Sequence, residues 1–154
     1  MPDTFDGEDV TRLRVALARV SRQLDRHARG DTLTRTQASV LASTSKHGPL
    51  RISELADIEG VNPTMLSRIV GKLEDAGLLH RRPDPGDGRA ALVETTEQGH
   101  DLDVALRTER TRLLAERLAA MPPDKAGELL AALPSLESLA DALTPLRTTS
   151  TENS

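Results

Sequence analysis

A mainly helical fold carrying one small β-hairpin is predicted by three observations. Two short helical segments, Ile52 to Ile58 and Asn62 to Gly77, face each other across a glycine turn. Two strand-like runs follow at once, separated by the tip Pro83-Asp84-Pro85-Gly86-Asp87-Gly88. Leucine-rich segments with three- and four-residue spacing stand before and after this central region. Helix, tight turn, helix and then a basic two-stranded ribbon is the layout of a DNA reader, with the second helix presented to the major groove.

In chain order, Val10, Leu13, Leu17, Val20 and Leu24 form an a/d seam on a helix that runs to about Ala28, surrounded by Arg12, Arg14, Arg19, Arg22 and Arg26. Such a seam predicts contact with a partner chain. Thr34 and Gln37 spell a capping box that opens the next helix. Ile52, Leu55, Ala56 and Ile58 carry the first helix of the turn motif, which Gly60 breaks. Asn62 caps the second, and Pro63 occupies its first position, where no N–H is needed. Met65, Leu66, Ile69, Val70 and Leu73 give this second helix an apolar stripe. Thr64, Ser67, Arg68, Gly71, Lys72 and Asp75 take the other side, where an arginine suits guanine and the hydroxyls and lysine suit base edges or phosphates. Gly71 costs about 1 kcal/mol relative to alanine in a helix, which implies close approach by DNA or by a neighbouring helix. Gly77 stops the helix.

The predicted strands are Leu78 to Arg82 and Ala90 to Glu94, with Arg81 and Arg82 at the base of the hairpin and Arg89 just past its tip. His80, beside these arginines, is expected to meet phosphate. Asp87 stands two residues before Arg89 and is expected to brace its guanidinium, aiming it at the negative potential of a narrow minor groove. Thr95 or Thr96 starts a helix reaching Ala120, Met121-Pro122-Pro123-Asp124 ends it, and a last leucine-rich helix follows with a kink at Pro134.

From about Leu33 to Leu102, just under half of the 154 residues, the chain resembles the winged-helix core of the MarR family of bacterial transcriptional regulators. Residues 34–41, Ile52-Ser53-Glu54-Leu55-Ala56, the run from Leu73 to Arg81, and Asp84, Asp87, Arg89 and Thr96-Glu97-Gln98-Gly99 match family landmarks in register. The resemblance implies a winged helix-turn-helix with N- and C-terminal dimerisation helices, and homodimers that bind double-stranded DNA, usually as repressors. It places the wing-tip arginine at Arg89, braced by Asp87, and recognition contacts at Thr64, Ser67, Arg68 and Lys72, with Asn62 at the helix start. It also implies a small lipophilic effector held between the opening helices and the long helix after the wing. Two departures stand out: Gly88 replaces a frequent charged residue, and Thr95 replaces a usual leucine, which predicts a loosely packed junction between hairpin and helix. The organisation expected is an acidic flexible N-terminus (1–8), a helical dimerisation region (9–30 and 100–143), a DNA-binding domain (31–99) and a disordered tail (144–154). A winged-helix module that binds protein rather than an operator is the alternative, and salt dependence separates the two.

Composition restricts the remaining classes. The length suits one core, which must be aliphatic because Phe5 is the only aromatic residue. With no cysteine there is no disulfide or thiol switch. His27, His47, His80 and His100 are scattered, and no catalytic motif or phosphate loop occurs, so neither a metal, a cofactor nor an enzyme is predicted. The absence of a signal-like start or a long apolar run predicts a cytoplasmic protein with no membrane contact. Net charge is -4, but residues 1–10 hold four acids and no bases, and residues 121–154 hold five acids and two bases. The stretch between carries eighteen bases against fifteen acids. Over a Debye length of about 8 Å that local excess, not the total, acts on phosphates.

Overall fold

A computed structural model describes residues 5–144. They belong to two compact units, the chain passing from the first to the second between Leu114 and Ala115. The first holds α1 (Gly7–Arg29), α2 (Arg35–His47), β1 (Leu50–Arg51), α3 (Ile52–Glu59), α4 (Pro63–Asp75), β2 (Leu79–Asp84), β3 (Asp87–Thr95) and most of α5 (Glu97–Ala119). The second holds α6 (Pro123–Ala131) and α7 (Leu133–Leu143). Gly7 and Glu8, at the end of the stretch predicted to be flexible, already belong to α1; of the predicted tail, residues 145–154 lie outside the described residues.

Local signals set most helix ends. The Thr34 hydroxyl accepts from the Gln37 N–H at 3.1 Å and the Gln37 side chain accepts from the Thr34 N–H at 2.9 Å, closing the predicted box. Asn62 caps α4 by accepting from the Met65 N–H at 2.8 Å, with Pro63 in the first turn. Gly77, at φ +76°, takes the left-handed conformation that lets the chain leave α4 for β2. Thr96 opens α5, accepting from the Gly99 N–H at 3.0 Å while its hydroxyl donates to the Gly77 carbonyl at 2.6 Å.

The hairpin is longer than predicted. Its ladder climbs to an Asp84–Asp87 pair, so the turn proper is only Pro85-Gly86, and an irregularity at Pro83/Asp84 absorbs the proline that cannot donate to a ladder. A third strand, β1, pairs antiparallel with β3 through Leu50–Val93 and Arg51–Leu92, giving the order β1-β3-β2. The kink expected at Pro134 is instead a full break at Ala132, with Pro134 in the first turn of α7.

One aliphatic core sits in the first unit. Val40, Leu41, Leu55, Leu66, Val70, Leu73, Leu79 and Val93 are fully buried, drawing on α2, α3, α4 and the sheet. Met65, expected in the core with its stripe, is about half exposed, as is Ile58 of α3, since α4 and α3 each turn only a narrow stripe inward. Arg110 on α5 ties back to Asp25 on α1 at 2.9 Å, and Arg29 donates to the Leu33 carbonyl at 2.7 Å. No residue of α1, α6 or α7 is buried; Val10, Leu13, Leu17 and Val20 lie open on α1. No helix among the described residues is long and apolar enough to cross a membrane.

Candidate nucleic-acid interface

The outer face of α4 carries Thr64, Arg68 and Lys72 exposed and Ser67 half-buried, at the three- and four-residue spacing that aligns them on one side. Pro63, Thr64, Ser67 and Arg68 line a shallow, open depression on it. Asn62 commits its side-chain oxygen to the cap and keeps its amide N–H groups at the helix start. Gly71 lies within this face, and a Cβ there would meet nothing within 4 Å, so no neighbouring helix of this chain explains the glycine.

The basic residues divide into paired and unpaired. Arg81 reaches Glu74 at 2.7 Å through Nε and donates through Nη2 to the Ser67 carbonyl at 3.2 Å, stitching the start of β2 onto α4. Arg82 meets Glu94 at 3.2 Å. His80, expected at phosphate, is engaged by the same carboxylate at 2.7 Å, because antiparallel register sets Glu94 directly opposite it. Burial pushes the Glu94 carboxyl up, but hydrogen bonds from Arg82 and His80 and their charges outweigh it, and the group stays below its ordinary range. Among the described residues, Arg68, Lys72 and Arg89 have no acidic partner.

At the wing tip the structure corrects the expected brace. The Asp87 carboxylate accepts from the backbone N–H of Arg89 at 3.0 Å rather than from its guanidinium, because a two-residue step favours the local Asx turn. Asp87 thus shapes the chain under Arg89 and leaves the guanidinium free. Asp84 does the same for the turn, accepting from the Gly86 N–H at 2.9 Å. Its other oxygen receives Arg51 from β1, through Nε at 2.7 Å and Nη2 at 2.6 Å. Arg51 escaped sequence reading because its partner lies 33 residues away and a two-residue strand has no periodicity.

The Gly86 N–H and the Arg51 guanidinium hold the Asp84 carboxyl below the usual aspartate range, and Asp84 in turn raises Arg51. A depressed pKa contributes stability above the unfolded value and loses it as pH falls through the folded one. Asp84→Asn is therefore expected to melt slightly lower than wild type at neutral pH, by no more than about 2 °C, with the difference shrinking in acid below the ordinary aspartate range. A pH-independent difference would contradict the assignment.

The junction after the wing is tightly packed, contrary to the expectation from Thr95. Gly99 is buried so closely against Leu78, the residue before β2, that a Cβ would sit 2.0 Å from the Leu78 carbonyl oxygen. Backbone contact there takes the place of leucine packing.

Comparison with known proteins places this geometry. The profile of the MarR family matches residues 33–91. An uncharacterized HTH-type transcriptional regulator of Mycobacterium bovis is 35% identical over 116 residues, covering 75% of this chain and 81% of that protein. The HTH-type transcriptional repressor NicR of Pseudomonas putida is 34% identical over 87 residues, 56% of this chain and 55% of that one. Among solved structures, RV1404 from Mycobacterium tuberculosis superposes with a TM-score of 0.74 at 26% identity, covering 87% of this chain and 94% of that one. With the helix-turn-helix, the three-stranded wing and relatives of this extent in agreement, the chain belongs to the MarR family of DNA-binding, winged-helix transcriptional regulators.

Proposed function

We propose that this regulator is a repressor that binds a two-fold symmetric operator as a homodimer, with α4 of each protomer in a major groove and Arg89 of each wing in the adjacent minor groove. The observation that carries this reading is the division of charge: Arg68, Lys72 and Arg89 project without acidic partners, while the basic residues between them are tied to Glu74 and Glu94. Thr64, Ser67 and Arg68 read base edges, Lys72 and the Asn62 amide hold phosphate, and Asp87 shapes the wing tip. Arg81 and Arg82 steady the wing base, their remaining N–H groups turned to the backbone of the DNA. Residues 31–99 form the reader, and 9–30 with 100–143 the dimerisation region. Open aliphatic residues support that assignment: Val10, Leu13, Leu17 and Val20 on α1, and Leu129, Leu130 and Leu133 in the second unit. The repressor sign follows the NicR relative, and a lipophilic effector acting on the helical region in a cytoplasmic, non-enzymatic protein completes the reading.

Footprinting on DNA upstream of the chain's own gene tests it. Two protected half-sites about 34 to 36 Å apart, with a dimer in sedimentation, are expected. A log-log salt slope near zero would favour a protein-binding module instead.

Gly71→Ala gives a sharper test of the recognition face. With open space at the Cβ, the variant is expected to be more stable by about 1 kcal/mol. Affinity for the footprinted duplex should nonetheless fall, because the methyl group stands where the DNA comes closest. Higher melting temperature with undiminished affinity would show that α4 does not approach DNA along Gly71.

A further inference from the structure

We propose that the Arg51–Asp84 pair is a strap across the wing, which makes Arg51 a positioning residue for the contact that Arg89 makes with DNA. The inference rests on the wing reading above and adds the element that fixes the height and angle of the wing. β1 and β2 lie on opposite sides of β3, and Arg51 and Arg82 both stand opposite Leu92. Asp84 is two residues nearer the tip than Arg82, so the Arg51 side chain passes over the central strand to reach it.

Little else holds the tip. No residue from Pro83 to Leu92 is buried, and the ladder is irregular at Pro83/Asp84, immediately below the turn. Local bonds from Asp84 to Gly86 and from Asp87 to Arg89 shape the turn without anchoring it to the rest of the fold. The strap supplies that anchor. At its lower end Arg51 is the residue before α3, and its N–H donates to Glu54 of that helix at 2.8 Å. The wing tip is thereby tied directly to the first helix of the helix-turn-helix. The Asp84 side chain is only 10% exposed, against 44% for Arg51, so the carboxylate is the fixed end.

Ion pairs with an end open to solvent contribute little to stability as a rule, and Arg51 is such an end, so the pair has small value as a staple. A guanidinium delivering two N–H groups to one carboxylate oxygen does restrict direction, and prior ordering of a binding element removes a cost otherwise met on association. Arg89, five residues beyond Asp84 along the hairpin, is the group that gains.

The experiment uses the full chain and a duplex enriched by the wild-type protein from a random-sequence pool. Affinity and salt slope are measured for Arg51→Gln, Arg51→Lys, Asp84→Asn and Arg89→Ala, and for the first and third of these combined with Arg89→Ala. Thermal unfolding is followed in parallel. Arg51→Gln and Asp84→Asn are each expected to weaken binding about 2- to 10-fold, with Arg51→Lys between them and wild type. Both losses should disappear on the Arg89→Ala background, and melting temperatures should stay within about 2 °C of their parents. Asp84→Asn is decisive in sign, since removing a negative charge beside DNA otherwise strengthens binding. Tighter binding by Asp84→Asn would make Arg51 a phosphate contact and overturn the strap. Losses that persist beside Arg89→Ala, or no loss from either variant, would overturn it as well. An Arg89→Ala variant with wild-type affinity would remove the wing contact itself, and the strap with it, whereas a weakened Arg89→Ala beside inert strap variants removes the strap alone.

Discussion

Gly99→Ala is expected to destabilise the fold by about 3 kcal/mol, at the upper end of the usual range for overpacking. For a chain of this size that is a fall of about 10 °C in melting temperature. The clash is with backbone. The new Cβ would lie 2.0 Å from the Leu78 carbonyl oxygen, 2.9 Å from its carbon and 3.2 Å from its Cα. None of these atoms can swing aside, because the same carbonyl accepts from the Thr96 N–H at 3.1 Å and the Leu78 N–H donates to Leu73 at 2.9 Å. Leu78 is itself a core residue. Relief requires α5 to lift away from the Leu78 backbone, which also strains the Thr96 hydroxyl bond to Gly77 at 2.6 Å. Chemical unfolding of the variant against wild type reads the loss. The opposite sign expected for Gly71→Ala provides the control, since both glycines stand within helices and both substitutions raise helix propensity. Equal stabilities for Gly99→Ala and wild type would mean that α5 does not start against the Leu78 backbone.

These two glycines mark the boundary of what is legible in the sequence. Features whose cause and effect lie within about four residues are readable: the Thr34–Gln37 box, the Asn62 cap with Pro63 behind it, and the stop at Gly77. Periodicity likewise locates Leu66, Val70 and Leu73 in the core, although it draws in Met65, which sits at the edge of the stripe and is half exposed. That the second helix offers Thr64, Arg68 and Lys72 outward follows from the same period. Gly71 and Gly99 look alike in a helical pattern, and only the tertiary neighbour of each decides whether a methyl group is free or forbidden.

Long-range pairing between charged residues is what periodicity does not reveal. Arg81 and Arg82 resemble a free basic patch in sequence, yet Glu74 and Glu94 reach them through helix-to-strand contact and strand register respectively. His80 meets Glu94 for the same reason. The expected Asp87 brace fails more locally: two residues suffice for a carboxylate to reach a backbone N–H but not to organise the end of an arginine side chain. β1 is too short for any pattern, and without β1 nothing points from Arg51 to Asp84. Among the described residues of the candidate site, the cations without an acidic partner are therefore three, Arg68, Lys72 and Arg89, in two places.

Two of those cations stand on one helix and are expected to behave differently. Arg68 lies mid-face, one turn from both Thr64 and Lys72, beside the shallow depression formed with Pro63 and Ser67. A planar guanidinium there can donate two parallel hydrogen bonds to the O6 and N7 atoms of a guanine. Arg68→Ala is expected to weaken binding to the footprinted duplex by about 1 to 3 kcal/mol and to relax discrimination at one base pair per half-site. Lys72, a compact charge at the next turn, has no directional fork. Lys72→Ala is expected to weaken all sequences about equally and to flatten the log-log salt slope by about 0.9 for each phosphate left unneutralised. Competition of each variant against single-base operator mutants at two salt concentrations separates the roles. If the Arg68 variant loses affinity for every sequence alike and flattens the salt slope, Arg68 is a phosphate clamp, and sequence reading falls to Ser67, Thr64 and the shape of the DNA beneath the wing.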